Sequence, residues 1–519
     1  MTMRRPIPPF RPPAMGPRWL LNSLLWSIAV LLVLQFVISQ RLIYPFDAPD
    51  ERVHFARAHD VAFAPGLVKL SSSAGKVSVG AFFYDPQPIH DCYGKPDCLL
   101  SSTTSELTRL RLHQFFQADS FLGAAGSDNS FPYAGGNYLH LIPSLRLAGL
   151  LRLTVLQAYQ IARASSGLLF LGVSALLLVS IWRQRLNASR AFPIALLGLG
   201  FWLPSSIFLA NSVSGDFLVT VASVLIALFL ITAPWGSTPR LFRLGLLLQP
   251  LLYCMVLGKL PYAPIVIAAV VLTWLRCPQA RKGWFVGATL LSFAWPLWWY
   301  VHSREAVLQL FQSQRGDWVG ARLSSAELLE WVLGSMGTLV SQAGDLYRQM
   351  VGVFGNGPVA RLFLPEAFSL IHAVLVLVIL GSVVVGSIQA SPSWRHRLLA
   401  FLPPRDAVVC LLGVILSYFM ICYGLRIYWT TSYPLDGLQG RYFLPLLPWL
   451  AVAFEACFVS HPHALNVASP MPSATLLPAS MGFVNHTFSR ALCAVLVVSM
   501  CQLIFYLKNI FHHYPTSSL

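Results

Sequence analysis

Charged residues are scarce in this sequence. Asp, Glu, Lys and Arg make up only 11% of its 519 residues, whereas hydrophobic residues make up 56%. Soluble domains carry about 25% charged residues. The apolar residues recur in runs of about 20, which is the length that crosses a bilayer as a helix. Because every backbone polar group must be paired inside lipid, the sequence predicts an all-α polytopic membrane protein.

Several sequence patterns are also missing, and each absence excludes a class of protein. No Gly-x-x-x-x-Gly-Lys-[Ser/Thr] motif occurs, which argues against a P-loop nucleotide site. No Lys/Arg-rich nucleic-acid motif accompanies the formal net charge of +16, since the basic residues lie mainly in short loops between apolar runs. Such loops are topology signals that face the cytosol. No internal repeat or heptad array is visible, which counts against an inverted-repeat transporter.

Placing the basic loops inside predicts about eleven transmembrane helices. The spans are expected at about 19–40, 157–182, 191–210, 217–234, 243–257, 262–275, 284–301, 367–388, 406–424, 442–459 and 490–507. Residues 1–18 form a basic cytosolic N-terminus before an uncleaved signal anchor, and 19–459 form the transmembrane domain. Residues 460–489, rich in Pro, Ser and Ala, are expected to be a flexible cytosolic loop, and 490–519 the last span with an outer tail.

Two long segments are expected on the outer side, at about 42–156 and 302–366. In the first, Tyr138–Leu151 is apolar but short and is interrupted by Arg146, which favours a helix in the membrane interface. In the second, Ser324-x-x-Glu327 has the pattern of a capping box and predicts a helix start.

Two of the nine cysteines lie in the first outer segment, at Cys92 and Cys98. The five residues between them include Gly and Pro, and in an oxidising compartment a disulfide could close this loop. Free thiols are the alternative. A zinc pair with His90 is less favoured, because nothing supplies a clear fourth ligand.

The densest group of charges follows the first span, in Asp47-Ala48-Pro49-Asp50-Glu51-Arg52-Val53-His54. One interpretation is a polar loop with a helix start, in which Asp47 is the N-cap and Pro49 lies in the first turn. The other is a chemical site, which requires the fold to close over these carboxylates and so to lower the local dielectric.

Further polar groups are predicted at helix ends on the same outer side: Asp216, Lys259 with Tyr262, and Gln439 with Arg441. Each has a simpler explanation, since Ser214-Gly215-Asp216 is a good N-terminal signal and Lys259 and Arg441 could snorkel towards water. Together, acids and cations that face one outer vestibule suggest a site for a phosphate-bearing substrate, because Arg and Lys both bind phosphate.

The order of these motifs resembles the DUF2142 family of bacterial predicted membrane proteins, within the GT-C superfamily of membrane glycosyltransferases. The resemblance rests on Pro49-Asp50-Glu51-x-x-His54-Phe55, Asn211-x-x-Ser214-x-Asp216, Lys259-x-Pro261-Tyr262, Gly352-x-x-Gly355 and Gln439-Gly440-Arg441-Tyr442-Phe443-Leu444-Pro445. The Asp-Glu pair before an interfacial helix is also similar to lipid A aminoarabinose transferases and protein mannosyltransferases. The chain departs from the family at Arg52, where a second proline is usual.

The resemblance implies a GT-C-like fold with juxtamembrane helices in the first outer loop, in the bacterial inner membrane with the active site facing the periplasm. It implies transfer of a sugar from a polyprenyl-phosphate donor to a cell-envelope glycan or glycolipid. It favours inversion at the sugar carbon, and it implies no obligatory metal, although a divalent metal is possible.

The chemistry of that transfer needs a carboxylate base for the acceptor hydroxyl and cations for the lipid phosphate. Asp50 is the candidate catalytic base. Glu51 would orient the acceptor or, as a less favoured alternative, take part in a metal site. His54 would hydrogen-bond to Asp50, and Asp216 would support the base or the acceptor. The candidate donor-binding residues are Lys259, Arg441, Tyr262 and Gln439, with Trp295, Trp298 and Trp299 either against the lipid tail or in an interfacial aromatic belt. A flippase or transporter of lipid-linked glycan is the alternative from another class, and an O-antigen ligase or polymerase is a further one.

Overall fold

The computed structural model describes residues 18–43, 51–63, 136–233, 240–277, 282–315, 325–352, 366–389, 404–429, 439–458 and 477–513. Within these ranges the chain is helical, and it has no β-strand. The first helices are α1 (Arg18–Leu42), α2 (Glu51–Phe63), α3 (Ile142–Leu150), α4 (Val155–Gln184), α5 (Ala188–Phe201), α6 (Pro204–Ala210), α7 (Gly215–Thr232) and α8 (Arg240–Leu257). They are followed by α9 (Ala263–Arg276), α10 (Lys282–Arg315), α11 (Ser325–Val351), α12 (Glu366–Gln389), α13 (Arg405–Trp429), α14 (Leu447–Phe458) and α15 (Leu477–His513). Short 3-10 turns lie at Gly136–Tyr138, Leu260–Tyr262 and Gly440–Phe443.

The long apolar helices identify a membrane protein. Among the described residues, five helices are long and apolar enough to cross a bilayer: Trp19–Leu42, Val155–Gln184, Gly215–Thr232, Arg405–Gly424 and Thr487–Phe511. The bent pair α5 and α6 makes up to six. Shorter apolar helices lie at Leu244–Leu257, Leu260–Arg276, Phe285–Trp299 and Ser369–Val385. Each expected span therefore falls on a helix, although several of these helices are shorter than a full crossing and the expected tenth span holds only the 12-residue α14.

The expected third span is broken, and the sequence explains where. Its two helices, α5 and α6, meet at an angle of 65°. Pro204 is the first residue of α6, and Leu203 before it is extended, with φ −61° and ψ 143°. A residue that precedes proline is pushed out of the helical region, so the helix ends here and a new one begins. The break lies shortly before the turn that leads into α7.

Three helix boundaries differ from the sequence prediction. The helix expected to end at about 301 continues to Arg315, because polar residues follow its apolar part without a breaker. The last helix begins at Leu477, so residues 477–489 of the expected flexible loop are helical. The expected interfacial helix Tyr138–Leu151 is a 3-10 turn followed by the nine-residue α3, which is too short to cross a bilayer. The capping residue Ser324 lies outside the described residues.

An ion cluster around Arg276 fixes the direction of four helices. Its Nη1 donates to the carbonyl oxygen of Leu230 at 2.9 Å, its Nε to Asp406 at 2.8 Å and its Nη2 to Glu455 at 3.3 Å. These residues lie near the ends of α7, α9 and α14 and at the start of α13. Helices α7, α9 and α14 are therefore parallel, with α13 antiparallel to them. Helix α7 begins towards the other end of the bundle, whereas α14 begins beside the middle of α7, where Ser223 donates to the carbonyl oxygen of Pro445.

Candidate functional site

Asp216 lies at the start of α7, the most completely enclosed of the candidate spans. Ser214 is the N-cap, and its hydroxyl accepts a hydrogen bond from the Asp216 backbone N–H at 3.2 Å. The predicted helix start is thus confirmed. The side chain of Asp216 is nonetheless buried, with the residue only 2% exposed. A helix cap alone does not require a buried carboxylate, so its partners decide its role.

Two cations from distant parts of the chain meet this carboxylate. The Lys259 ammonium donates a hydrogen bond to Asp216 Oδ1. Arg441 Nε lies 3.7 Å from Asp216 Oδ2 in an ion pair. Both cations are buried, with Lys259 5% and Arg441 4% exposed. The structure therefore brings together three residues that the sequence placed in separate loops, and two cations face one carboxylate. Burial strengthens these interactions, because the surroundings have a low dielectric constant.

The turns that carry the two cations are tied to each other and to α11. The Tyr262 hydroxyl donates to the carbonyl oxygen of Tyr442 at 2.9 Å, which joins the turn after Lys259 to the turn of Arg441. The Gly440 N–H donates to Gln349 Oε1 of α11 at 2.7 Å. Tyr262 was predicted to bind the donor, and that role stays a prediction. In the structure, its hydroxyl holds the turn of Arg441 in position.

Gln439 is at the base of the Arg441 turn. Its backbone carbonyl accepts from the Tyr442 N–H at 3.0 Å. Its side-chain Oε1 is buried and has no hydrogen-bond partner among the described residues. The predicted role of Gln439 in donor binding stays a prediction, and this oxygen is the atom that it concerns.

Glu51, at the start of α2, contacts the turn that leads into α7. Glu51 Oε1 accepts a hydrogen bond from the Tyr159 hydroxyl at 2.6 Å and another from the Val213 N–H at 2.7 Å. The residue is 2% exposed. Hydrogen bonds to an ionised carboxylate are stronger than those between neutral groups. Glu51 thus holds α2 and α4 against the residues that precede Asp216, a contact that the sequence did not indicate.

His54 lies one turn further along α2 and faces the same cluster. Its Nδ1 is 2.5 Å from the Tyr138 hydroxyl. His54 is also close enough to Asp216 to interact with it electrostatically. Two of the predicted catalytic residues, His54 and Asp216, are therefore neighbours across 162 positions of sequence.

The segment Gly136–His140 forms part of the site, and the sequence did not reveal its role. Asn137 is completely buried, and neither its side-chain oxygen nor its nitrogen has a hydrogen-bond partner in the described part of the chain. His140 contacts the hydroxyl of Ser166 at 3.1 Å, and burial lowers its pKa to about 3, so its ring is neutral. The only sequence signal was a glycine pair next to polar residues, which is also typical of an ordinary turn.

Arg163 is a second residue that the sequence prediction missed. It donates three hydrogen bonds to backbone carbonyls: Asn211 at 2.8 Å, Ile43 at 3.0 Å and Ser39 at 3.2 Å. It thereby joins the end of α1, the middle of α4 and the turn before α7. Its signal was a single charge inside an apolar span, because such a charge is costly unless it has specific partners.

Several predicted residues lie outside the described residues or are only partly described. Asp50, the candidate base, Asp47 with Pro49, and the pair Cys92 and Cys98 with His90 are outside them, and so is the side chain of Trp295. The Arg57 guanidinium lies 4.9 Å from the ring centre of Trp299, whereas Trp298 is 38% exposed. Within the described ranges, no group of three or more His, Cys, Asp or Glu side chains is arranged to hold a metal ion.

The site therefore combines a buried carboxylate, two cations and several hydrogen-bonding groups at one end of the bundle. Helix α7 begins at this site, and the N-terminal end of a helix carries a partial positive charge. Such an arrangement suits a group with negative charge, because oriented N–H groups and cations stabilise it together.

A comparison with protein families assigns the chain to a family. A family model described as "Predicted membrane protein (DUF2142)" matches residues 31–450, a range that contains every site residue from Glu51 to Arg441 and ends before α15. No curated protein matches the chain. No solved structure matches it either. The family match covers most of the sequence, so this chain belongs to the DUF2142 family of predicted membrane proteins.

Proposed function

We propose that this chain is a membrane glycosyltransferase. It moves a sugar from a polyprenyl-phosphate donor to a hydroxyl of a cell-envelope glycan or glycolipid, on the outer face of the bacterial inner membrane. The observation that carries the proposal is the convergence of Lys259 and Arg441 on Asp216 in a buried site at the helix ends. In this proposal the two cations hold the lipid phosphate, and Asp216 keeps them in place before the donor arrives.

The reaction needs one bond to form and one to break. The acceptor oxygen attacks the anomeric carbon, the bond from that carbon to the phosphate oxygen breaks, and a base takes the hydroxyl proton. The leaving phosphate gains negative charge, so fixed cations stabilise it more than they stabilise the intact donor. Asp50 is the proposed base, since it immediately precedes Glu51, which is anchored beside the site. His54 and Tyr138 are proposed to orient the acceptor or the base.

The proposed architecture is GT-C-like with about eleven spans, the N-terminus in the cytosol and the site facing the periplasm. It is supported by the parallel directions of α7, α9 and α14, whose C-terminal ends meet at the Arg276 cluster, at the opposite end of α7 from Asp216. Basic loops follow α4 and α9 at that other end, as expected for a cytosolic face. The buried Asp216 cluster and the partly buried Arg276 cluster both lie at helix ends, which favours an enzyme over a transporter with charges across the membrane centre.

The experiment uses a bacterial strain that lacks the wild-type copy. Asp216→Asn, Lys259→Met and Asp50→Asn are expressed separately, and membrane levels of each protein are matched. Lipids and surface glycans are then compared by mass spectrometry. Asp345→Asn is the matched control, because its ion pair with Arg348 is exposed.

The proposal predicts that a polyprenyl-phosphate sugar accumulates and that one glycan loses a sugar residue in the variants but not in the control. Unchanged glycans in all three variants would contradict it. Accumulation of a complete lipid-linked repeat unit would instead favour the flippase, or a ligase or polymerase that uses a diphosphate donor.

A further inference from the structure

Asn137 combines complete burial with an unsatisfied side chain. It is the middle residue of the 3-10 turn Gly136–Tyr138, and it is 0% exposed. Both atoms of its carboxamide are buried without a hydrogen-bond partner among the residues that the structure describes. Buried amide groups are ordinarily paired, because an unpaired polar group costs stability. An exception beside a candidate site therefore points to a partner that is bound only during function.

Its position relates it to two of the three charged residues of the site, Asp216 and Lys259. If Gly215 carried a Cβ, the nearest atom to it would be Asn137 Nδ2, and Gly215 immediately precedes Asp216. A Cβ on Gly258, which immediately precedes Lys259, would lie 3.0 Å from the Asn137 backbone nitrogen. Because neither glycine has a side chain, Asn137 packs directly against the backbone just before Asp216 and just before Lys259. The next residue, Tyr138, contacts His54.

The chemistry of a carboxamide selects among ligands. Its NH₂ group donates two hydrogen bonds and its oxygen accepts two. An ionised phosphate only accepts, so it would leave the Asn137 oxygen unpaired. A hydroxyl group both donates and accepts hydrogen bonds. Two hydroxyl groups on adjacent carbon atoms can therefore pair with the oxygen and the NH₂ group of the carboxamide at once. A sugar presents such neighbouring hydroxyls.

We propose that the Asn137 carboxamide binds hydroxyl groups of the transferred sugar. The site then has two parts: Lys259 and Arg441 hold the phosphate, and Asn137 beside them holds the sugar. This inference rests on the proposed glycosyltransferase function, and it assigns a specificity-determining residue to that function.

The test is Asn137→Leu, which keeps a similar side-chain size and removes both polar atoms. If no protein group pairs with Asn137, the thermal unfolding temperature of the purified variant stays the same or rises, since a buried unpaired amide is removed. Transfer in the complemented strain falls about tenfold or more, as expected from the loss of hydrogen bonds to substrate. Undecaprenyl phosphate, which carries no sugar, still raises the unfolding temperature of the variant as it does for the wild type.

Two controls accompany this variant. Gln249→Leu removes another fully buried amide whose two polar atoms have no partner in the described part of the chain. Gln249 lies in the middle of α8, away from the site, so this variant should leave transfer unchanged. Asp216→Asn reports on the proposed function itself. Asn137→Ala replaces Asn137→Leu if the leucine variant does not accumulate, and the same criteria apply to it.

The outcomes separate the two proposals. If Asp216→Asn abolishes transfer and Asn137→Leu does not, the sugar-binding role of Asn137 is wrong and the glycosyltransferase proposal stands. The role is also overturned if both Asn137→Ala and Asn137→Leu have a lower unfolding temperature than the wild type. It is overturned as well if undecaprenyl phosphate no longer stabilises the Asn137→Leu variant. If neither Asp216→Asn nor Asn137→Leu alters any glycan, the proposed function fails and this inference fails with it.

Discussion

Lys259 donates a hydrogen bond to the carboxylate of Asp216, and both side chains are almost completely buried. Lys259 stands at the end of α8 and Asp216 at the start of α7, so the bond closes one end of this antiparallel helix pair. A buried pair of this kind is costly to break, since removal of Lys259 leaves only Arg441, 3.7 Å away, to compensate the Asp216 carboxylate. The pair thus links the stability of the bundle to the integrity of the site.

Lys259→Met should lower the free energy of unfolding by about 3 kcal/mol, as is typical when one partner of a buried ion pair is removed. Arg348→Met is the matched control, because Arg348 pairs with Asp345 in an exposed position and such pairs contribute about 0–1 kcal/mol. Both variants are compared with the wild type by thermal unfolding in detergent. Equal losses in the two variants would show that burial adds nothing to the Lys259 pair.

Gly440→Ala should displace the turn that carries Arg441. A Cβ at this position would lie 2.7 Å from the carbonyl oxygen of Leu346 and 2.8 Å from the backbone nitrogen of Met350, and neither backbone atom can move independently of α11. We expect loss of the glycan product at a normal membrane level of protein. Gly172→Ala in α4 is the control, since a Cβ there meets no atom within 4 Å. Normal glycans in Gly440→Ala would contradict the close packing of this turn.

Arg163→Met should be among the most destabilising single substitutions. It removes the guanidinium donor from three buried backbone carbonyls, of which that of Ser39 still accepts from the Ile43 N–H. The cost is about 1–3 kcal/mol for each group that stays unpaired. Arg163→Lys keeps the charge but replaces the guanidinium fork, so we expect an intermediate loss. Arg185→Met, which removes an exposed hydrogen bond to the Trp182 carbonyl, is the control. The unfolding temperature should be lowest for Arg163→Met, intermediate for Arg163→Lys and closest to the wild type for Arg185→Met.

The protein should become less stable as the pH is lowered, and His140 should contribute to this loss. Burial lowers its pKa from 6.5 to about 3, so the unfolded chain binds a proton at a higher pH than the folded chain does. The stabilising difference is present above pH 6.5 and is lost as the pH falls towards 3, at up to about 1.4 kcal/mol per pH unit. The unfolding temperature of His140→Gln should therefore depend less steeply on pH between about 7 and about 5. Parallel profiles for variant and wild type would show that His140 does not contribute.

The site and the C-terminus should lie on the same side of the membrane. Tyr506 near the end of α15 contacts Ser39 near the end of α1 through their hydroxyls at 3.1 Å, and Glu51 follows α1 closely in the chain. A reporter fused after Leu519 should be extracytoplasmic, whereas one fused after Leu186 should be cytosolic. A cytosolic signal at Leu519 would reverse the predicted orientation of the site or change the number of spans.

The sequence correctly indicated which loops would carry polar groups, but not how those groups pair. Ser214 was placed at a helix start, and it is the N-cap of α7. Asp216, Lys259 and Arg441 were predicted to face one side, and the structure adds that Asp216 pairs with both cations. Arg163 was overlooked, because a single charge in an apolar span does not show which carbonyls it reaches.

By itself, the sequence determined the membrane class, the helical segments and the start of α7, since hydrophobic length and helix capping depend on residues that are close in the chain. In the sequence, Pro204 was only one of two prolines in the expected third span, with Pro193, and nothing local showed that the helix breaks at the second. The tertiary structure decided the rest. It paired Lys259 with Asp216, placed His54 against Tyr138 and left the Asn137 carboxamide buried among the site residues without a partner in the described part of the chain. These outcomes depend on how helices pack across long sequence separations, and no local pattern of residues encodes that packing.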